Sequence, residues 1–134
     1  MPKDSSANTS LRTPLGRVRG MGSARSGTHH WWTMRVTSLA LLPLTLWFVV
    51  SMIRLADASY LDTLLWIAAP VNAILMLVLI GLTFHHMAAG LQVIIEDYVR
   101  HEFRRMAVIL LVKAVSLLLA IVAGFSVLRI AFAL

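Results

Sequence analysis

TLLWIAAPVNAILMLVLIGLTFHHMAAGLQVII, residues 63–95, runs for 33 residues without one Asp, Glu, Lys or Arg. An apolar run of about 18 residues or more reads as a membrane-spanning helix. At ~1.5 Å per residue the whole stretch would make roughly 50 Å of helix, against a hydrocarbon core of ~30 Å. Part of it must therefore tilt, protrude or be sheltered by protein. Pro70 stands early in the run.

The same reading extends in both directions. Upstream, residues 36–53 form an apolar run of eighteen residues, about 27 Å of helix. Pro43 lies inside it and predicts a kink or a locally broken turn, tolerable where neighbouring helices re-satisfy the backbone. Trp31 and Trp32 precede it, where an aromatic belt belongs. A polar turn with Arg54, Asp57, Ser59, Tyr60 and Asp62 separates the first two spans. Downstream, residues 96–105 hold three acids, three arginines and His101, and a third apolar run covers 106–132. The expectation is an all-α integral membrane protein with spans at about 36–53, 63–95 and 106–132. Residues 33–134 would form the three-helix domain, and residues 1–32 a polar, basic arm that is disordered or lies on the membrane surface.

Composition agrees. Of the 134 residues 59% are hydrophobic and 13% charged, with a mean hydropathy of +0.82, whereas a soluble domain carries about 25% charged residues. A soluble enzyme and a free nucleic-acid-binding domain are both excluded, despite a net charge of +6. The absence of cysteine excludes disulfides, thiolate metal sites, iron–sulfur ligation and thiol catalysis. No internal repeat is visible, and the chain is too short for a transporter built on inverted repeats.

The basic residues set an orientation. Six Lys/Arg lie in residues 1–35 and three in the 96–105 loop, while the opposite side offers Arg54 and Arg129. Two spans separate the arm from that loop, so both fall on one side. Nine against two places them in the cytoplasm (or matrix), with the C-terminus opposite. The arm lacks an apolar core and is no secretory signal, although a mitochondrial transit peptide shares its composition. Its charge suits anionic headgroups.

Polar residues inside spans each require a reason. With His86 as origin and ~100° per residue, Asp97, Gly90, Asn72 and Thr83 all fall within about 60° on one helix face. That face must meet protein, a cofactor or water. His86 lies twelve residues before Tyr98, ~18 Å from the helix end, and needs a helix–helix hydrogen bond or a metal. His85 is about 100° away and cannot chelate with it. Asp97 and Tyr98 at the interface read either as a belt tyrosine beside a carboxylate paired with arginine, or as a phenol that hydrogen-bonds a quinone carbonyl. Lys113 and Arg129 snorkel to opposite interfaces or, for Lys113, meet an acidic partner or ligand.

The segment HMAAGLQVIIEDYV, His86–Val99, resembles the second helix of the small membrane-anchor subunit of succinate dehydrogenase (complex II), with its His-x3-Gly-x6-Asp-Tyr-Val spacing. RSGTHHWWTMRVT, Arg25–Thr37, resembles that family's Arg-x-Gly-x-His lead-in and the Arg-x-Thr that opens its first helix. The resemblance implies that the chain is half of a heterodimeric anchor bundle in a bacterial inner membrane, a mitochondrial inner membrane being the less favoured case. It implies that His86 is one axial ligand of a haem b, with the other histidine on a larger, cytochrome b556-type anchor subunit. Arg35 would lie near the haem propionates, Tyr98 would donate to ubiquinone, and Asp97 would pair with an arginine of the partner. His29 matches the lead-in without an assigned role, and His30 receives none. The implied function is to tether the flavoprotein and iron–sulfur subunits to membrane lipid and to help build the ubiquinone site. With no cysteine and no Gly-rich nucleotide loop, the chain cannot oxidise succinate alone. Two alternatives stand: an anchor of fumarate reductase, and a non-enzymatic membrane assembly protein whose polar stripe serves helix packing. No nucleic-acid partner is implied.

Overall fold

The computed structural model describes Thr13, Leu15 and residues 25–133. The expected surface-lying or disordered arm therefore falls largely outside the described residues. Four helices make up the rest: α1 (Arg25–Leu55), α2 (Tyr60–Ala68), α3 (Pro70–Tyr98) and α4 (Glu102–Ala133). Among the described residues there is no strand, and α1, α3 and α4 are each long and apolar enough to cross a membrane.

α1 starts at Arg25, well before the apolar run that marks it in the sequence. It also continues as one helix through Pro43, so of the kink or broken turn expected there the broken turn does not occur. Trp31 and Trp32 lie within this helix with their rings stacked, centroids 5.4 Å apart.

The run at 63–95 is not one helix. It divides at Ala69, whose φ of −58° and ψ of 126° are extended rather than helical. The physical cause is the proline that follows, because the ring of Pro70 disfavours the α conformation of the residue before it. Pro70 then serves as the first residue of α3, a position where its missing N–H costs nothing within the new helix. The excess length inferred from the sequence is thus removed by a break. α2 becomes a short separate helix, capped at its start by Ser59, whose Oγ accepts from the Asp62 N–H at 3.2 Å.

Proline also deprives the preceding helix of a donor. In a continuous helix the N–H of residue 70 would bond to the carbonyl of Trp66. Here the side-chain amide of Asn72 donates to that carbonyl at 2.8 Å. Trp66 in turn stacks on Trp47 of α1, centroids 5.7 Å apart, which ties the short helix to the first span.

α3 is the central element. It packs most extensively on α4 and next on α1, while α1 and α4 share no extensive contact. Small residues allow the close approach of α3 and α4: a Cβ on Gly124 would meet Leu77 Cδ2 at 3.5 Å, and Ser116 is buried. Such packing by small residues is the membrane solution, since lipid offers no hydrophobic drive between helices. The only buried hydrophobic residues among those described are Ala73 and Val127, and long apolar side chains cover the outside of all three spans. The apolar surface of this fold therefore lies on the outside of the helices, as a membrane span requires.

Candidate functional site

α1 and α3 run antiparallel, and two pairs of positions define their contact. Met34 lies opposite Gly90, where an added Cβ would stand 3.8 Å from Met34 Cε. One turn further along, Thr37 lies opposite His86, with Thr37 Oγ1 2.8 Å from His86 Nδ1. The stripe read from the sequence therefore meets protein at His86 and Gly90. Gly90 matters because a side chain longer than a methyl would run into the Met34 side chain at that level.

Thr37 is one of the few buried polar residues, at 7% exposure. Its hydroxyl also bonds within α1, donating to the Thr33 carbonyl at 2.8 Å, with the Met34 carbonyl at 3.1 Å. His86 is half-buried, and its Nε2 makes no hydrogen bond among the described residues. Among the described residues the one buried, unpartnered side-chain nitrogen or oxygen is His30 Nε2, so Nε2 of His86 remains accessible.

The other members of the stripe have separate surroundings. Asn72 serves the helix break at Trp66, and Thr83 is exposed. Asp97 and Tyr98 occupy the last turn of α3, both exposed, Tyr98 at 82%. Neither has a hydrogen-bond or ion-pair partner among the described residues, so both are free to meet another molecule. Eleven residues separate Asp97 from His86, or ~16 Å along the helix. Arg35 is two residues from Thr37, about 200° around α1, and its guanidinium lies 5.0 Å from the Trp31 ring centre. Within this chain, then, His86 and Gly90 come together with α1, while Arg35, Asp97 and Tyr98 stand apart from them.

His85 faces elsewhere. It lines a groove of about 920 Å³ between α1 and α4, floored by α3, together with His29, His30, Gln92, Glu96 and Lys113. The Gln92 amide donates to Glu96 Oε1 at 2.7 Å, and Lys113 has no ion-pair partner among the described residues. Sequence periodicity separates His85 from His86 but gives no sign that His29, His30 and Lys113 share a groove with the former. That requires the packing of three helices.

Among the described residues no three His, Asp or Glu side chains are grouped to hold a metal ion. His86, near the middle of α3, has one ring nitrogen bonded to Thr37 and the other without a hydrogen bond among the described residues. The class defined by this fold is a membrane protein of three spans whose central helix carries a histidine against the first span and an exposed Asp-Tyr pair at its end. Residues 9–123 match the family of succinate dehydrogenase/fumarate reductase transmembrane subunits, and the chain belongs to it.

Curated relatives agree. The succinate dehydrogenase hydrophobic membrane anchor subunit of Rickettsia bellii (strain RML369-C) is 30% identical over 109 residues, covering 81% of this chain and 86% of the relative. The protein of the same name from Paracoccus denitrificans is 31% identical over 97 residues, 72% and 75% of the two chains. The succinate dehydrogenase membrane anchor subunit of Reclinomonas americana is 26% identical over 96 residues, 69% and 80% of the two chains. No solved structure matches the chain.

Proposed function

We propose that this chain is the small membrane anchor of a succinate:ubiquinone oxidoreductase. It holds the flavoprotein and iron–sulfur subunits at the membrane beside a larger anchor subunit, and contributes to haem b ligation and to the ubiquinone site. Family membership supports the anchor role. The observation that carries the site reading is the accessible, unpartnered Nε2 of His86 on a helix whose next turn presents Gly90.

The residues fit a shared haem b. One imidazole can fill one of two axial positions, so the second histidine belongs to the larger anchor subunit. Bound there, haem supplies a one-electron redox centre within the bilayer. Arg35 is the cation of α1 assigned to its propionates. Quinone reduction consumes two electrons and two protons, which favours a pocket at the wet edge of the membrane. Tyr98 and Asp97 are exposed at the end of α3, where a quinone head entering from lipid still reaches water. The Tyr98 phenol donates to a quinone carbonyl, and the Asp97 carboxylate orients an arginine of the larger anchor. The excess of basic residues supports an N-terminus and a 96–105 loop on the inner side of the membrane, and the bacterial inner membrane is the membrane proposed.

The family also spans fumarate reductase anchors, which pass electrons the other way. Purification from membranes through a tag on this chain tests the proposal. A flavoprotein, an iron–sulfur protein and a larger anchor should co-purify, with a bis-histidine haem spectrum and succinate-driven ubiquinone reduction. Co-purification of those subunits with quinol-driven fumarate reduction alone would select the fumarate reading. Recovery of the chain without either soluble subunit would reject both.

A further inference from the structure

We infer that Thr37 is a positioning residue for His86: it holds the imidazole as the Nδ1–H tautomer and so leaves the Nε2 lone pair for iron. The inference rests on the haem reading given above.

Thr37 Oγ1 has three polar neighbours, namely the carbonyls of Thr33 at 2.8 Å and Met34 at 3.1 Å and the His86 Nδ1 at 2.8 Å. A hydroxyl has one hydrogen. The two carbonyls are acceptors and have no hydrogen to offer, so the contact with Thr33 is favourable only if the Thr37 hydrogen points there. The oxygen then faces His86 with a lone pair, and Nδ1 must carry the proton. In the opposite arrangement Oγ1 and the Thr33 carbonyl oxygen would sit 2.8 Å apart with no hydrogen between them, in a setting too dry to soften the repulsion. A neutral imidazole protonated on Nδ1 is unprotonated on Nε2, the form a metal takes up.

The surroundings hold this arrangement in place. Thr37 is buried at 7% exposure, and the contact sits one turn from the close approach of Gly90 and Met34. The ring cannot swing without losing its acceptor. A hydrogen bond donated by Nδ1–H also raises the basicity of Nε2. A more basic ligand favours ferric over ferrous iron and lowers the midpoint potential. Thr37 therefore acts on orientation, on tautomer and on potential.

The test uses the purified complex with Thr37→Val, which keeps the shape and removes the hydroxyl, and Thr37→Ser, which keeps the hydroxyl. Redox titration of the haem band should show a higher midpoint potential in Thr37→Val. The expected shift is up to about a tenfold change in the ferric/ferrous equilibrium, which is ~59 mV for one electron. Thr37→Ser should stay near the unsubstituted value. If Thr37→Val does not assemble, Thr37→Ala reads the same loss of acceptor with less bulk. A haem that His86→Ala removes but whose potential is the same in both hydroxyl-free variants and in Thr37→Ser would reduce Thr37 to packing and overturn the inference. A complex without haem, or one whose haem survives His86→Ala unchanged, would instead sink the reading of His86 as ligand, and the role of Thr37 with it.

Discussion

The side-chain amide of Asn72 donates to the Trp66 carbonyl at 2.8 Å, the same carbonyl that the residue at position 70 would serve in an unbroken helix. Pro70 has no N–H, so the lost backbone bond is replaced from two residues further on. The replacement lets a helix break sit beside the hydrocarbon without an orphaned carbonyl, and it lets α2 turn away from the axis of α3. A polar residue that the periodicity assigns to the same stripe as His86 thus has a purely structural task.

That relationship can be measured as a coupling. Asn72→Leu should destabilise the purified complex by about 1–3 kcal/mol, the cost of leaving a part-buried acceptor beside hydrocarbon unpaired. Pro70→Ala restores an N–H and allows a continuous helix. In that background Asn72→Leu should cost clearly less, giving a coupling of at least ~1 kcal/mol. Thermal unfolding of the four proteins decides it, and additive effects would show that the two residues act independently.

Much of the fold is legible in the sequence because membrane spans are announced by apolar length. The three spans follow from that alone. The division at Ala69 does not, since Trp66, Ile67 and Ala68 are as apolar as the residues beyond Pro70 and hydropathy cannot tell them apart. The proline was the available clue, through its effect on the residue before it. Pro43 shows why such a clue is weak by itself, for α1 is not divided there. At the candidate site, helical angle separates His86 from His85, but the identity of the neighbour does not follow from one helix. Thr37 lies 49 residues from His86, and pairing them requires the register of two antiparallel helices.

Gly90 tests that register. A methyl group there would make ordinary contact with Met34 Cε at 3.8 Å, so Gly90→Ala should assemble normally. Gly90→Leu must displace the Met34 side chain and crowd the adjoining turn of α1, at a cost of about 1–3 kcal/mol for overpacking. It should also separate Thr37 from His86 and alter the haem spectrum. Thermal stability and the optical spectrum of both variants check this, and a normal Gly90→Leu complex would place α1 elsewhere.

The orientation makes a separate prediction. A reporter fused after Leu134 should be active on the outer face, and one inserted at Arg100–Arg105 on the inner face, because the flanking basic residues divide nine to two. Reversing the response of both reporters would invert the topology, while finding both on one side would contradict three spans.

The last prediction separates Tyr98 as a ligand of quinone from Tyr98 as an interfacial ring. Its side chain is 82% exposed at the end of α3 and, like that of Asp97, has no partner among the described residues. Tyr98→Phe keeps the ring and its interfacial packing but removes the donor. A phenol donating to a quinone carbonyl contributes on the order of 1 kcal/mol in the ground state, and more as charge develops on that oxygen during reduction. The Tyr98→Phe complex should therefore assemble and oxidise succinate with an artificial acceptor at the normal rate. With ubiquinone it should be slowed by at least ~5-fold, the equivalent of ~1 kcal/mol. Asp97→Asn should impair the same step, because a neutral amide orients the partner's arginine less well than a carboxylate. Both activities are measured on one membrane preparation, so that assembly and quinone chemistry are read together. Unchanged ubiquinone reduction in Tyr98→Phe would leave the residue a belt tyrosine, and loss of both activities would make its role assembly.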